Sequence, residues 1–386
     1  MLAIYALLAV CPSAAQLQEP IAAEPWKDIL IEMEAEDRTP LEAKLSLPAD
    51  AEGKVPVVFY LHGAGPRTYD NPFPTVDEEG EQSVGKYLDF FASELTGRGV
   101  AFFRMSKRGC HAREEPPWMK VDRAIFSKAT LSVLLADYEV ALDSLRKRPE
   151  IDPNRIVLIG SSEGTRLAPQ LALRSPKGLL GVAMLGYAAD NAHDTIVWQM
   201  TDGPWRNISH LIPAARDGAL TKDEHQAFLE AMPALAAQLP FQPVDVDGDG
   251  QWTSADFEKL NAPRLQATLN AVEQGDDDFL WKNLLNLSSA YCRGWWDAEP
   301  NAETLLKLDL PLAIFHGDLD GTCRVEGVLE TQELLREAER ENLEVHLYDD
   351  ANHDLNWTSG VTGESVPAPF RDVFALITRW TKPGEK

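Results

Sequence analysis

The chain has 386 residues, 44% hydrophobic and 25% charged, long enough to bury a large core and typical in composition of a water-soluble globular protein. Its formal net charge of −25, from 61 acidic against 36 Lys and Arg residues, excludes nucleic acid and anionic membrane surfaces as partners, because both would be repelled. Stable membrane insertion is not expected either: the apolar run at residues 2–10 is too short to span a bilayer.

That run opens the chain, in "MLAIYALLAVCPSAAQ", and ends at the small residues Ser13, Ala14 and Ala15 before Gln16. The pattern predicts a signal peptide over 1–15 and export to the periplasm or the extracellular space, although no Lys or Arg precedes the apolar run. If Cys11 leaves with it, Cys110, Cys292 and Cys323 remain, enough for one internal disulfide in any of three pairings.

From residue 26 the pattern turns to strands. Ile29, Ile31 and Met33 alternate, and after "EDRTP" so do Leu41, Ala43, Leu45 and Leu47, an antiparallel pair at a sheet edge. Six short apolar runs follow: "PVVFYL" (56–61), "VAFFRM" (100–105), "RIVLIG" (155–160), "LLGVAML" (179–185), "PLAIFH" (311–316) and "LEVHLY" (343–348). Such runs suit parallel strands covered on both faces. Helical patterns at about 84–97, 131–147, 163–174, 325–340 and 368–381 lie between and after them. The alternation predicts an α/β class fold with a mostly parallel eight-stranded sheet flanked by helices. Residues 191–299 break the rhythm, with no strand pattern and many tryptophans, and read as a helical cap inserted into a core of 26–190 and 300–386.

Function is written at the strand ends. Gly160-Ser161-Ser162-Glu163-Gly164 fits G-x-S-x-G between a strand and a helix, the setting of a nucleophile elbow, with Ser162 at its centre. The bland alternative is a helix cap. A serine hydroxyl needs a base, and the base an orienting acid, in the chain order Ser, acid, His. "PLAIFHGDLDGT" supplies Asp320 beyond one strand, with Asp318 as fallback, and "LYDDANHDLNW" supplies His353 beyond the last. His316 sits inside a strand run and reads as structural; His193, His210 and His225 lie in the insert. An oxyanion needs two N–H donors: Glu163, opening the helix, and Ala64 in "YLHGAGP", with Gly65 as an alternative to Ala64.

With these residues in view, "HGAGP", "RMSKRGC", "GSSEGT", "PLAIFHGDLD" and "DANHDL" resemble the successive motifs of α/β-hydrolases, and among them the bacterial serine esterases with HGSGP, a DKRG loop and GHSEGG. The resemblance covers about 28–190 and 296–386. It implies the α/β-hydrolase fold with a helical cap, Ser162 as nucleophile, Asp320 as acid, His353 as base, and Ala64 and Glu163 as oxyanion donors. Ser161, Thr165 and Ser106 stand where that group has His, Gly and Asp. Lys107-Arg108-Gly109 reads as a solvated loop, with a part in shaping the site as the alternative.

A second signal lies in the insert. "DVDGDGQWTSAD", 245–256, follows the spacing of an EF-hand calcium loop: Asp245, Asp247 and Asp249, the turn at Gly250, the Gln251 carbonyl, Thr253, and Asp256 in place of the usual Glu. Thirty-two residues earlier, Asp217, Gly218, Thr221 and Glu224 echo its second half, with Pro213 and Ala215 unable to bind, so one Ca²⁺ is expected, with a structural role; "TKDE" also fits a plain capping box. No cofactor is expected for catalysis. The reading is an exported serine hydrolase cleaving small carboxylic esters. A peptidase or amidase using the same triad, and a non-catalytic calcium-binding scaffold, are the alternatives.

Overall fold

The computed structural model describes residues 26–76, 82–232, 240–357 and 366–382; the segment 1–15 read as a signal peptide, with Cys11, lies outside them. The alternating N-terminal segments form β1 (Trp26–Glu34) and β2 (Pro40–Pro48), antiparallel with Ile31 opposite Ala43. The apolar runs become β3 (Val55–Leu61), β4 (Ala101–Met105), β5 (Ile151–Ser161), β6 (Leu179–Leu185), β7 (Leu312–Gly317) and β8 (Leu343–Tyr348). Their spatial order is β1-β2-β4-β3-β5-β6-β7-β8. β2 pairs β4 antiparallel, and every pair from β4 onward is parallel.

Burial follows position in the sheet. Every residue of β3, β4 and β7 is buried, as strands covered on both faces require. β8 departs from the expectation: it is an edge strand whose residues are only partly covered, and Glu344 and Leu347 are exposed. Side chains leave alternate faces. Val57, Phe59 and Leu61 enter a cluster with helix α2 (Leu131–Arg146) and helix α3 (Gly164–Arg174). Val58 and Tyr60 enter one with the helices Tyr87–Thr96 and Ala368–Thr381.

Between β6 and β7 the described chain is helical except for a two-residue ribbon, Leu220–Thr221 against Gln251–Trp252. Part of this insert has its own core, including Ile208, Leu220, Trp252 and Phe257. The rest, with Leu284, Tyr291 and Trp295, merges with the core on the α3 face of the sheet. Trp252 and Trp295 therefore pack as core residues. Cys110, Cys292 and Cys323 are buried free thiols, so none of the three pairings forms.

Candidate active site

The chain reverses sharply between β5 and α3. Ser162 sits between them at φ 55°, a left-handed conformation that costs a non-glycine residue energy and tends to mark functional sites. The turn closes only because both flanking positions lack a side chain: a Cβ on Gly160 would lie 2.1 Å from Gly164 O, and one on Gly164 would lie 2.1 Å from Leu61 O. The Ser162 N–H donates to Leu185 O at 2.9 Å, tying the elbow to the end of β6. Thr165, where the resembled esterases have glycine, donates from Oγ1 to Ser162 O at 2.7 Å and accepts the Ala188 N–H at 2.9 Å, so its hydroxyl joins the elbow to the loop that follows β6. Ser162 Oγ makes no hydrogen bond among the described residues and faces the pocket described below.

Asp320 and His353, from the loops after β7 and β8, meet at 2.7 Å between Oδ2 and Nδ1. Asp320 is fully buried; its Oδ1 accepts the N–H groups of Thr322 and Cys323 at 2.7 and 2.8 Å. Burial alone would raise this carboxyl, but the two histidines beside it and its hydrogen bonds hold it below its ordinary value. Burial pulls His353 down; the Asp320 charge and hydrogen bond outweigh it, and the imidazole ends above its ordinary value. The His353 ring also lies against Gly186, where a Cβ would sit 2.9 Å from Cε1. Gly186 follows Leu185, the acceptor for Ser162, so the serine and the histidine flank the same strand end. Asp318, the fallback acid, makes no bond to His353.

His316 proves more than a strand histidine. Its Nδ1 accepts the Tyr187 N–H at 2.9 Å, so the proton is on Nε2, which points to Cys323 O at 3.1 Å and stands 3.4 Å from Asp320 Oδ2. Burial lowers its pKa and keeps it neutral. His193 pairs with Asp194, His210 with Asn356, and His225 stacks on Trp252; none joins Asp320.

The loop after β3 carries Gly63 and Ala64 over the serine, with a Cβ on Gly63 placed 3.1 Å from Ser162 Cβ. No hydrogen bond among the described residues uses the backbone N–H of Ala64 or of Glu163, leaving both for a ligand oxygen. Beneath this loop the expectation of a solvated Lys107-Arg108-Gly109 segment fails. Lys107 is 2% exposed; its Nζ donates to Gly63 O at 2.7 Å and to Glu163 Oε1 at 3.0 Å. Burial lowers the Lys107 pKa and Glu163 opposes that. The other Glu163 oxygen accepts from Tyr291 of the insert. Arg108 is buried too, bound in a fork to Asp137 at 2.6 and 2.7 Å. A basic tripeptide reads as surface by composition alone; the acids that bury it, Glu163 and Asp137, come from distant segments that single-sequence reading does not pair with it.

A pocket opens over Ser162. Ala64, Glu163, Ile196, Leu285, Tyr291 and Trp295 are among its walls, so core and insert build it together. Arg166 also lines it and was not anticipated; a charged residue four places after Ser162, on a helix that must pack against the sheet, was the available signal.

In the acidic loop of the insert, Asp245, Asp247 and Asp256 bring one carboxylate oxygen each within 4.8 Å of the others. Asp245 accepts the N–H groups of Gly248 and Gly250 at 2.9 and 3.2 Å, which curls the loop around it. Asp249 is outside that cluster and accepts the Gln251 N–H at 2.9 Å; Thr253 Oγ1 donates to Asp256 at 2.8 Å. Lys259 reaches Asp247 at 3.1 Å. In the preceding loop Thr221 and Glu224 make the capping box, and the ribbon sets the loops side by side with Leu220 opposite Trp252. Three clustered carboxylates on a glycine-turned loop are a donor set that fits a hard cation.

No protein-family model matches the chain, and no curated sequence does. Its backbone is similar to that of the α/β hydrolase GrgF from Penicillium sp. sh18, with TM-score 0.51 and 14% identity over 92% of this chain and 99% of that one. It is similar to a lipase in its open form, with TM-score 0.50 and 17% identity over 92% and 98%. The acylaminoacyl peptidase of Pyrococcus horikoshii gives TM-score 0.51 and 15% identity over 94% of this chain and 43% of that one. At such identities the likeness is one of fold, and it agrees with the strand order: the chain has the α/β-hydrolase fold, an eight-stranded, mostly parallel sheet with helices on both faces.

Proposed function

We propose that the protein is an exported serine hydrolase that cleaves carboxylic esters of small molecules, with Ser162 as nucleophile, His353 as base and Asp320 as orienting acid. The observation that carries this reading is the bond between His353 and Asp320 at a strand end shared with the strained Ser162 turn. In that arrangement Asp320 fixes the proton on Nδ1, leaving Nε2 to take the Ser162 proton as Oγ attacks the ester carbonyl. The free N–H groups of Ala64 and Glu163 receive the oxyanion, the alcohol leaves with the proton from His353, and water repeats the sequence on the acyl-enzyme. The hydrogen bond between Ser162 and His353 closes when substrate is bound, as is common for such pairs.

Ester rather than peptide cleavage is supported by the pocket charges. An amine-recognising peptidase needs a free carboxylate; the one acid among the described pocket residues, Glu163, is held by Lys107 and Tyr291. The test is hydrolysis of p-nitrophenyl acetate by wild type beside Ser162→Ala. We expect the variant to lose about 10³-fold or more in kcat. Equal activity of the two would remove Ser162 from its role. Export rests on the N-terminal sequence pattern.

We further propose that Asp245, Asp247 and Asp256, with Asp249, the Gln251 carbonyl and Thr253 completing the set, hold one structural Ca²⁺ that braces the insert. When bound, the ion neutralises clustered carboxylates and ties the loop to the helix Ser254–Gln274. Ca²⁺ at 100 times its Kd is expected to stabilise the native state by about 2.7 kcal/mol, read as a rise in Tm that EDTA reverses. Asp245→Ala should abolish the rise; a rise that survives it, or a stoichiometry of two, contradicts the assignment.

A further inference from the structure

The most unusual group in the pocket is Arg166. It is 5% exposed and lines the cavity that Ser162 faces, one helical turn after the nucleophile. Its guanidinium makes no hydrogen bond and no ion pair among the described residues, and Nη2 is fully buried without a partner. The neighbouring acids are already committed. Glu163 is bound by Lys107 and Tyr291, Asp320 by His353, and Asp190 by Arg324 through two bonds of 2.7 and 2.8 Å. The guanidinium has one compensation, the face of Trp295 at 5.4 Å. Trp295 is itself a pocket wall, and its indole N–H is buried without an acceptor.

A buried cation without an anion is costly, and a cation–π contact offsets only part of that cost. Buried guanidinium groups are ordinarily satisfied by a carboxylate or phosphate held in a fork. Nothing in the described protein supplies one here, and the rest of the pocket is largely apolar, with Ile196, Leu284, Leu285 and Leu287 on its walls. Burial lowers the Arg166 pKa, as expected of a cation short of counter-charge. The protein as a whole carries −25, so an anion is not drawn in by the long-range field. Recognition must be made locally, by this one group.

Resting on the hydrolase reading of Ser162, we propose that Arg166 is a substrate-specificity residue, binding a free carboxylate on the ester that Ser162 cleaves, so that the preferred substrates are monoesters of short dicarboxylic acids. The carboxylate takes the open guanidinium edge while the ester carbonyl lies between Ser162 Oγ and the N–H groups of Ala64 and Glu163. The apolar walls cover the methylenes between. Placement of the charge on the acyl side is the committed version; a carboxylate on the alcohol side uses the same chemistry and is distinguished below.

The experiment compares kcat/KM for mono-p-nitrophenyl glutarate, p-nitrophenyl valerate and the acetate ester of 4-hydroxybenzoic acid, in wild type, Arg166→Met and Arg166→Lys. Wild type should favour the glutarate ester over the valerate ester by roughly 10- to 100-fold, the worth of hydrogen bonds to a charged group. Arg166→Met should erase the preference by raising KM for the glutarate ester far more than for the valerate ester. Arg166→Lys should restore part of it. A preference for the benzoate-bearing acetate alone, lost in Arg166→Met, would overturn the acyl-side assignment. No preference in wild type, or one that survives Arg166→Met, would overturn the proposal altogether. Should wild type hydrolyse none of the three, the hydrolase reading fails, and binding of glutarate by calorimetry decides the role of Arg166 separately. Binding weakened tenfold or more by Arg166→Met supports an anion site; absent or unchanged binding overturns it.

Discussion

Asp320→Asn is expected to lower kcat by about 10⁴-fold while leaving KM and the fold largely intact. The carboxylate accepts a hydrogen bond from the His353 Nδ1–H at 2.7 Å; an amide of the same shape offers its N–H to that nitrogen and stabilises the wrong tautomer. The pH profile should change as well. Only the neutral imidazole can accept the Ser162 proton, so kcat/KM is lost as pH falls through the His353 pKa of the free enzyme. In wild type burial depresses that pKa, but the Asp320 charge and hydrogen bond lift it above its ordinary value, so the acid limb lies higher in pH than that of an ordinary histidine. Without the Asp320 charge the depressing effect of burial is the largest influence left, and the residual activity of the variant should hold to lower pH than that of wild type. An acid limb that stays in place would show that Asp320 does not control His353.

Lys107→Met is expected to cost about 3–5 kcal/mol of stability, because it strands the Glu163 carboxylate in a buried site. At about 1.2 °C per kcal/mol for a chain of this length, Tm should fall by roughly 4–6 °C. Adding Glu163→Gln should recover part of the loss, as a double-mutant cycle would measure. The same lysine holds Gly63 O at 2.7 Å and so fixes the loop bearing the Ala64 N–H. Even where the variant is folded, a displaced donor should lower kcat by roughly 10- to 100-fold with KM changed less. A variant of wild-type stability and turnover would make the ion pair incidental.

The strands were legible because each parallel strand is an uninterrupted apolar run, and burial on both faces demands that. β8 was the exception: Glu344 and His346 within "LEVHLY" marked a strand open on its outer side, and the half-exposed edge carries them. The candidate site was legible where local backbone geometry constrains sequence. Gly160 and Gly164 are required by contacts of 2.1 Å, and they advertise the residue between them. Asp320 and His353 could be placed at strand ends, but their contact is a tertiary fact. Lys107 was misjudged for the same reason. Its environment is made by Glu163, 56 residues from it in the chain, and by Tyr291, 128 residues from Glu163, and composition carries no trace of that pairing. Arg166 was overlooked because a single arginine on an amphipathic helix is ordinarily solvated, whereas the insert roofs this one over.

The measurement closest to the central claim is covalent labelling with a fluorophosphonate, followed by mass spectrometry of the digested protein. A serine activated by His353 attacks phosphorus, displaces fluoride and keeps the phosphonyl group. The account predicts one adduct per chain, on Ser162, with none formed by Ser162→Ala and formation slowed strongly in Asp320→Asn. A folded protein that takes no label, or takes it on another residue while Ser162 stays unmodified, would contradict it.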